Sequence, residues 1–126
     1  MPQTDVKYFT HEEAKRTLPL VKQIVRDILN NAFQIRTIAE SLGGKFEGNN
    51  EIQGLADQLD SYIKELGDIG CSYKDGTFHI GIVDFPSIIE GKEVLLCWRS
   101  DEDDILFYHG LDEGFAGREL IPNDYL

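Results

Sequence analysis

The stretch Ala14–Leu42, AKRTLPLVKQIVRDILNNAFQIRTIAESL, decides the architecture of the first half of the chain. Within it Ala14, Leu18, Val21, Val25, Ile28, Ala32, Ile35, Ala39 and Leu42 recur at alternating steps of four and three. On an α-helix that spacing lays a narrow apolar seam along one side, and a seam so sustained asks for a partner helix. Gly43-Gly44 supplies a left-handed stop. A second seam follows: Ile52, Leu55, Leu59, Tyr62, Leu66 and Ile69. Asn49 or Asn50 can cap its start and Gly67 or Gly70 its end. A connection this short makes the two helices antiparallel neighbours.

The start of the first helix is marked by Thr10-His11-Glu12-Glu13, a capping box that follows the lead-in Met1–Phe9. His11 then falls in the first turn, where a solvated side chain is expected. Pro19 interrupts the pattern, because proline inside a helix removes a hydrogen bond and clashes one turn back. A kinked continuous helix and a break are both compatible with it. The expected arrangement is the break, with a short helix over 11–16 and a long one starting near Leu18, capped by Thr17 or Leu18.

From Gly70 the period changes. Cys71-Ser72-Tyr73 and Phe78–Val83 read as strands around the Asp75-Gly76 turn signal, with His79 mid-strand. Asp84-Phe85-Pro86 is expected to end the second of them, since proline cannot sit in a central ladder. Residues 88–92 read as a turn. Two strong strands follow, Glu93–Arg99 and Ile105–His109, joined by an acidic tip expected to be a solvated loop. The tail holds a possible short strand at Arg118–Ile121. The expected fold is α+β in a single domain, 1–126: an antiparallel helical hairpin over 1–69 packed on a small antiparallel β region over 70–126.

The chain has 126 residues, enough to bury a core without disulfides or metal. Its formal net charge of −11 argues against nucleic acid and anionic membrane as partners, because both repel an acidic surface. Residues 69–126 contribute −8 of it, from 4 Lys+Arg against 12 Asp+Glu. No basic start followed by an apolar run is visible, and no stretch is apolar enough for a membrane helix. A cytoplasmic protein with Cys71 and Cys97 reduced is the expectation.

The densest collection of chemically capable side chains is Asp84, Cys97, Arg99, His109, Asp112, Glu113 and Arg118. If Ser100–Asp104 closes an ordinary hairpin, Cys97 pairs near Phe107 and Leu95 near His109, so that Cys97, Arg99 and His109 share one face. The candidate ligand-binding residues are therefore Arg99, His109, Asp112, Arg118 and Asp84. Two guanidinium groups could grip a carboxylate or phosphate; the competing reading is internal pairing of Arg118 with Asp84 or Asp112. For a divalent metal the candidates are His109, Asp112 and Glu113, of suitable ligand types but without a recognised spacing. No cofactor is required by the sequence. A nucleophilic role for Cys97 is disfavoured by its apolar strand.

Gly81–Ile121 carries a family resemblance. Val83-Asp84-Phe85-Pro86, Val94-Leu95-Leu96-Cys97-Trp98-Arg99 and Phe107-Tyr108-His109-Gly110-Leu111-Asp112-Glu113-Gly114-Phe115-Ala116-Gly117-Arg118 resemble motifs of the bacterial family called domain of unknown function 2203. Tyr8-Phe9-Thr10 and the Glu-Ala and Leu-Pro pairs after it fit as well. Tyr108 stands where members often have Trp, and the acidic tip is slightly longer than theirs. The resemblance implies an α+β domain and assigns no activity. The expected function is thus a small interaction module that homodimerises through its long helix, the alternative being an anion- or metal-binding protein, hydrolase-like if enzymatic.

Overall fold

In the computed structural model, which describes residues 6–126, two helices are followed by a five-stranded antiparallel sheet. The first five residues of the lead-in lie outside the described part. Helix α1 spans His11–Ser41 and α2 spans Asn50–Ile69. Thr10 caps α1 through the full capping box, its side chain accepting from Glu13 N–H while the Glu13 carboxylate accepts from Thr10 N–H. Asn49 caps α2 by accepting from Ile52 N–H, and Gly70, at φ 112°, ends it. Phe9 at the start of α1 touches Gly70 at the end of α2, and Asn31 reaches Leu55 and Gln58. The helices therefore run in opposite directions.

The expected break at Pro19 does not occur; α1 is one helix of 31 residues. Pro19 is exposed, so the carbonyl it leaves without a partner is on the solvent side, where water satisfies it. The apolar side stays continuous past it: Ala14, Leu18, Val21, Val25, Ile28 and Ala32 are all buried. Their cover is α2 and one face of the sheet.

The strands are β1 (Ser72–Tyr73), β2 (Ile82–Ile89), β3 (Lys92–Arg99), β4 (Phe107–Gly110) and β5 (Glu119–Leu120), in sequential order across the sheet. Both edges are only two residues long, which leaves little unpaired ladder to recruit another chain. The strand expected over 78–83 begins only at Ile82. Residues 74–81 form a loop in which the Asp75 carboxylate accepts from Thr77 N–H, Thr77 O–H and Ile80 N–H. His79 consequently lies exposed in that loop rather than mid-strand.

Nor does Pro86 end its strand; β2 runs through it, opposite Leu95. Strand β1 stops short of this point, and the Pro86 carbonyl instead accepts from Phe9 N–H at 2.7 Å. In a strand a residue's N–H and C=O point the same way, so the missing donor faces this open side and costs β2–β3 no ladder bond. The expected turn over 88–92 tightens to Glu90-Gly91, both at positive φ, as a two-residue hairpin needs.

Alternation divides the sheet into two faces. Val83, Phe85, Val94, Leu96 and Trp98 point at the helices and form the core with Val21, Val25 and Ile28. Gly81 allows the closest approach: a Cβ there would collide with Val25. Ile82, Asp84, Leu95, Cys97, Arg99, Phe107 and His109 point away from the helices.

The acidic tip is not simply solvated. Trp98 Nε1–H donates to the Glu102 carbonyl, Lys22 to the Asp103 carbonyl, and Lys15 pairs with Asp104. His11 is likewise not solvated but half-buried, its Nε2 at 2.7 Å from the Ile105 carbonyl. None of the helices is long and apolar enough to cross a membrane.

Candidate functional site

The register expected for the β3–β4 pair is the one observed: Cys97 opposite Phe107 and Leu95 opposite His109. On the other side of β3, Cys97 is opposite Asp84. Three adjacent strands thus bring Asp84, Cys97 and His109 together on the face turned away from the helices. One ligand-capable atom from each lies within 4.8 Å of the other two. All three residues are buried, at 2%, 0% and 3% exposure.

Segment 111–118, between β4 and β5, covers this cluster. It contains one 3₁₀ turn, Phe115–Gly117. A cleft of about 330 Å³ leads in beside it, lined among others by Lys74, Asp84, Leu95, His109, Glu113 and Phe115. A larger cavity of about 510 Å³ lies near Phe9, Leu96 and Tyr125, but its buried polar group, Ser87, already donates to the Phe9 carbonyl. Of the cluster, Asp84 and His109 line the smaller cleft, with Cys97 buried behind them.

The hydrogen bonds of His109 fix its chemistry. Nδ1 lies 2.8 Å from the Gly110 carbonyl, which only accepts, so Nδ1 carries a proton. Nε2 lies 3.1 Å from Asp84 Oδ1. The proton between them belongs either to an imidazolium facing a carboxylate or to a carboxylic acid facing a neutral imidazole. Both forms leave the pair neutral as a whole, which is how two ionisable groups tolerate this depth. Both nitrogens of His109 are therefore engaged, and neither is free to take the Cys97 proton.

Burial pushes the Cys97 thiol up to about 12, with the nearby Asp84 charge adding to the rise and the Arg118 guanidinium opposing it. Cys97 is a protonated thiol at neutral pH, without the activating base a nucleophile needs. Cys71 is also raised to about 12, by burial, and both cysteines are free.

The two arginines are committed to their own chain. Arg99 donates to both Asp101 oxygens at 2.6 and 2.8 Å. Arg118 pairs with neither Asp84 nor Asp112, the expected internal partners, but with Glu102, in a bidentate clasp at 2.9 and 2.7 Å. Burial pulls the Glu102 carboxyl up, and the Arg118 hydrogen bonds more than offset that, holding it below the usual range. The Arg118 guanidinium also lies 4.1 Å from the centroids of both the Phe107 and the Phe115 rings. Asp112 is exposed and does not line the cleft.

Of the expected site residues the structure therefore unites Asp84 and His109. It sets Arg99 and Arg118 against the acidic tip and leaves Asp112 outside. Cys97 enters the cluster in place of Asp112. Its signal was the strand pairing itself, since alternate residues of β3 share a face and Asp84 lies directly across. Glu102 had no local sign of its role; only the folded tip places it against Arg118.

No curated protein and no solved structure matches the chain. Residues 7–121 match the family described as "Uncharacterized conserved protein (DUF2203)", and the match spans the helices, the sheet and the cluster alike. The chain belongs to that family, whose function is not known.

Proposed function

We propose that this chain is a small cytoplasmic binding protein, one domain over 1–126, that takes a divalent transition metal at Asp84, Cys97 and His109. The observation that carries this reading is the convergence of a carboxylate, a thiol and an imidazole within 4.8 Å at a buried point beside a cleft. The set suits zinc or cobalt rather than magnesium or calcium, which prefer all-oxygen sites. His109 supports it further. Its Nδ1–H is held by a backbone carbonyl, the outer-shell arrangement that presents Nε2 as a metal ligand. A carboxylate and a thiolate together neutralise a divalent ion. Ligation releases the Cys97 thiol proton, so affinity rises with pH.

The test is a titration of the apo protein with zinc while melting temperature and released protons are followed. Wild type is expected to gain several degrees and release the thiol proton on binding, with Cys97→Ser losing most of the gain and the released proton. A wild-type melting temperature indifferent to zinc and cobalt ends this reading.

Self-association through α1 is a second reading, favoured by the end of the apolar seam. Ile35 and Ala39 are half-buried, while Leu42 is 41% and nearby Phe33 61% exposed. Six of the nine seam positions are already covered within the chain, which confines any contact with a second copy to this far end. Light scattering at micromolar concentration decides it; a mass of 14.3 kDa excludes the dimer.

A further inference from the structure

We infer that the larger cavity, beside the start of α1, binds a small apolar amine in its protonated form. It lies on the helix-facing side of the sheet, the other face from Asp84 and His109. The inference therefore stands or falls separately from the metal reading.

The cavity holds about 510 Å³, within the range of roughly 300–1,000 Å³ typical of small-molecule sites. Its floor is Phe9, Ile89, Leu96 and Ile121, all buried. The hydroxyl of Ser87, also buried there, already donates to the Phe9 carbonyl at 2.6 Å. A floor without a free polar group favours hydrocarbon over ordered water. Two aromatic rings line the same cavity, and both are tied in place. The Tyr8 hydroxyl donates to the Glu93 carboxylate, and the Tyr125 hydroxyl accepts from Glu90 N–H at 2.8 Å. One ring comes from before α1 and the other from after β5, yet both are fastened to the end of the β2–β3 hairpin. Each residue keeps 38% of its surface exposed, and tyrosine faces held this way suit a cation as well as hydrocarbon.

The charges around the cavity select the sign of its ligand. Glu12 and Asp124 line it, and neither carboxylate has a salt-bridge partner among the described residues. Among those residues no Lys or Arg lines it. His11 adds an acceptor. Its Nε2 faces the Ile105 carbonyl at 2.7 Å and so carries a proton, which leaves Nδ1 of the neutral ring to accept. The N-terminus of α1 does not reverse the preference, because Glu12 and Glu13 already occupy its first turn. An apolar body bearing one ammonium group meets the floor, the rings and the carboxylates together. A carboxylate ligand would meet like charge.

The probes are phenylbutylamine, phenylbutanol and phenylbutyrate, which share an apolar body and differ in charge. Each is titrated into the full chain while the methyl resonances of Ile89, Leu96 and Ile121 are followed by NMR. The amine is expected to shift those signals and to bind about tenfold more tightly than the alcohol, with the carboxylate weaker still. Glu12→Gln and Asp124→Asn together change two exposed side chains and leave the floor intact. In that double variant the amine is expected to fall to the affinity of the alcohol, while the alcohol binds as before. The inference is overturned if the amine leaves the methyl signals unmoved, if the carboxylate binds as tightly as the amine, or if the advantage of the amine survives both substitutions.

Discussion

The two faces of one sheet solve burial in opposite ways. The face toward the helices is filled with Val83, Phe85, Leu96 and Trp98, and water is excluded by matching apolar shapes. The face away from them is equally dry at Asp84, Cys97 and His109, yet there the buried carboxylate and imidazole depend on each other. The lesson is that burial alone does not make a core. On the first face any well-fitting hydrocarbon serves; on the second, removing one partner strands another.

That contrast is broken or sharpened first at Trp98. Trp98→Ala should cost about 4 kcal/mol by urea denaturation, because it opens a large cavity and frees the Glu102 carbonyl. A loss below about 1 kcal/mol would mean the helix-facing side is not tightly packed. Next comes Asp84→Ala, a much smaller deletion, expected to cost about 3 kcal/mol because it leaves His109 Nε2 buried and unpaired. If Asp84→Ala were neutral, the outer face would be as forgiving as a surface.

The smallest effect, read over the first pH unit above 9, compares one thiol from each face. Both are raised to about 12 by burial, from an ordinary value near 9. Above pH 9 the unfolded thiol ionises while the folded one does not, so the unfolded state loses its proton first. Stability conferred by each thiol is complete below pH 9 and falls as pH rises toward 12, by about 1.4 kcal/mol per pH unit per thiol. Cys71→Ala and Cys97→Ala should each flatten that slope by a similar amount in alkaline denaturation. A slope indifferent to Cys97→Ala alone would show that the outer face admits water.

What could be read from the sequence followed how local each determinant is. The two seams, the Thr10 capping box and the glycine stops are set within a few residues, and they appear where the spacing put them. The Cys97–Phe107 register followed from the length of one connection. Pro19 and Pro86 misled for a common reason. Each forfeits a backbone bond, but whether that matters depends on what stands opposite: solvent for Pro19, and the Phe9 segment for Pro86. Neither neighbour is visible in the local string. The same holds for the site, where Asp84 and His109 were recognisable as candidates but Glu102 became Arg118's partner only through a folded loop.

That Arg118 contact has a mechanical corollary. The guanidinium is a crossbar, its edge gripped by the loop before β4 and its flat sides held by the Phe107 and Phe115 rings. The acidic loop and the cover of the cleft are thereby coupled into one lever. A displacement of the first would be carried to the second through this one side chain.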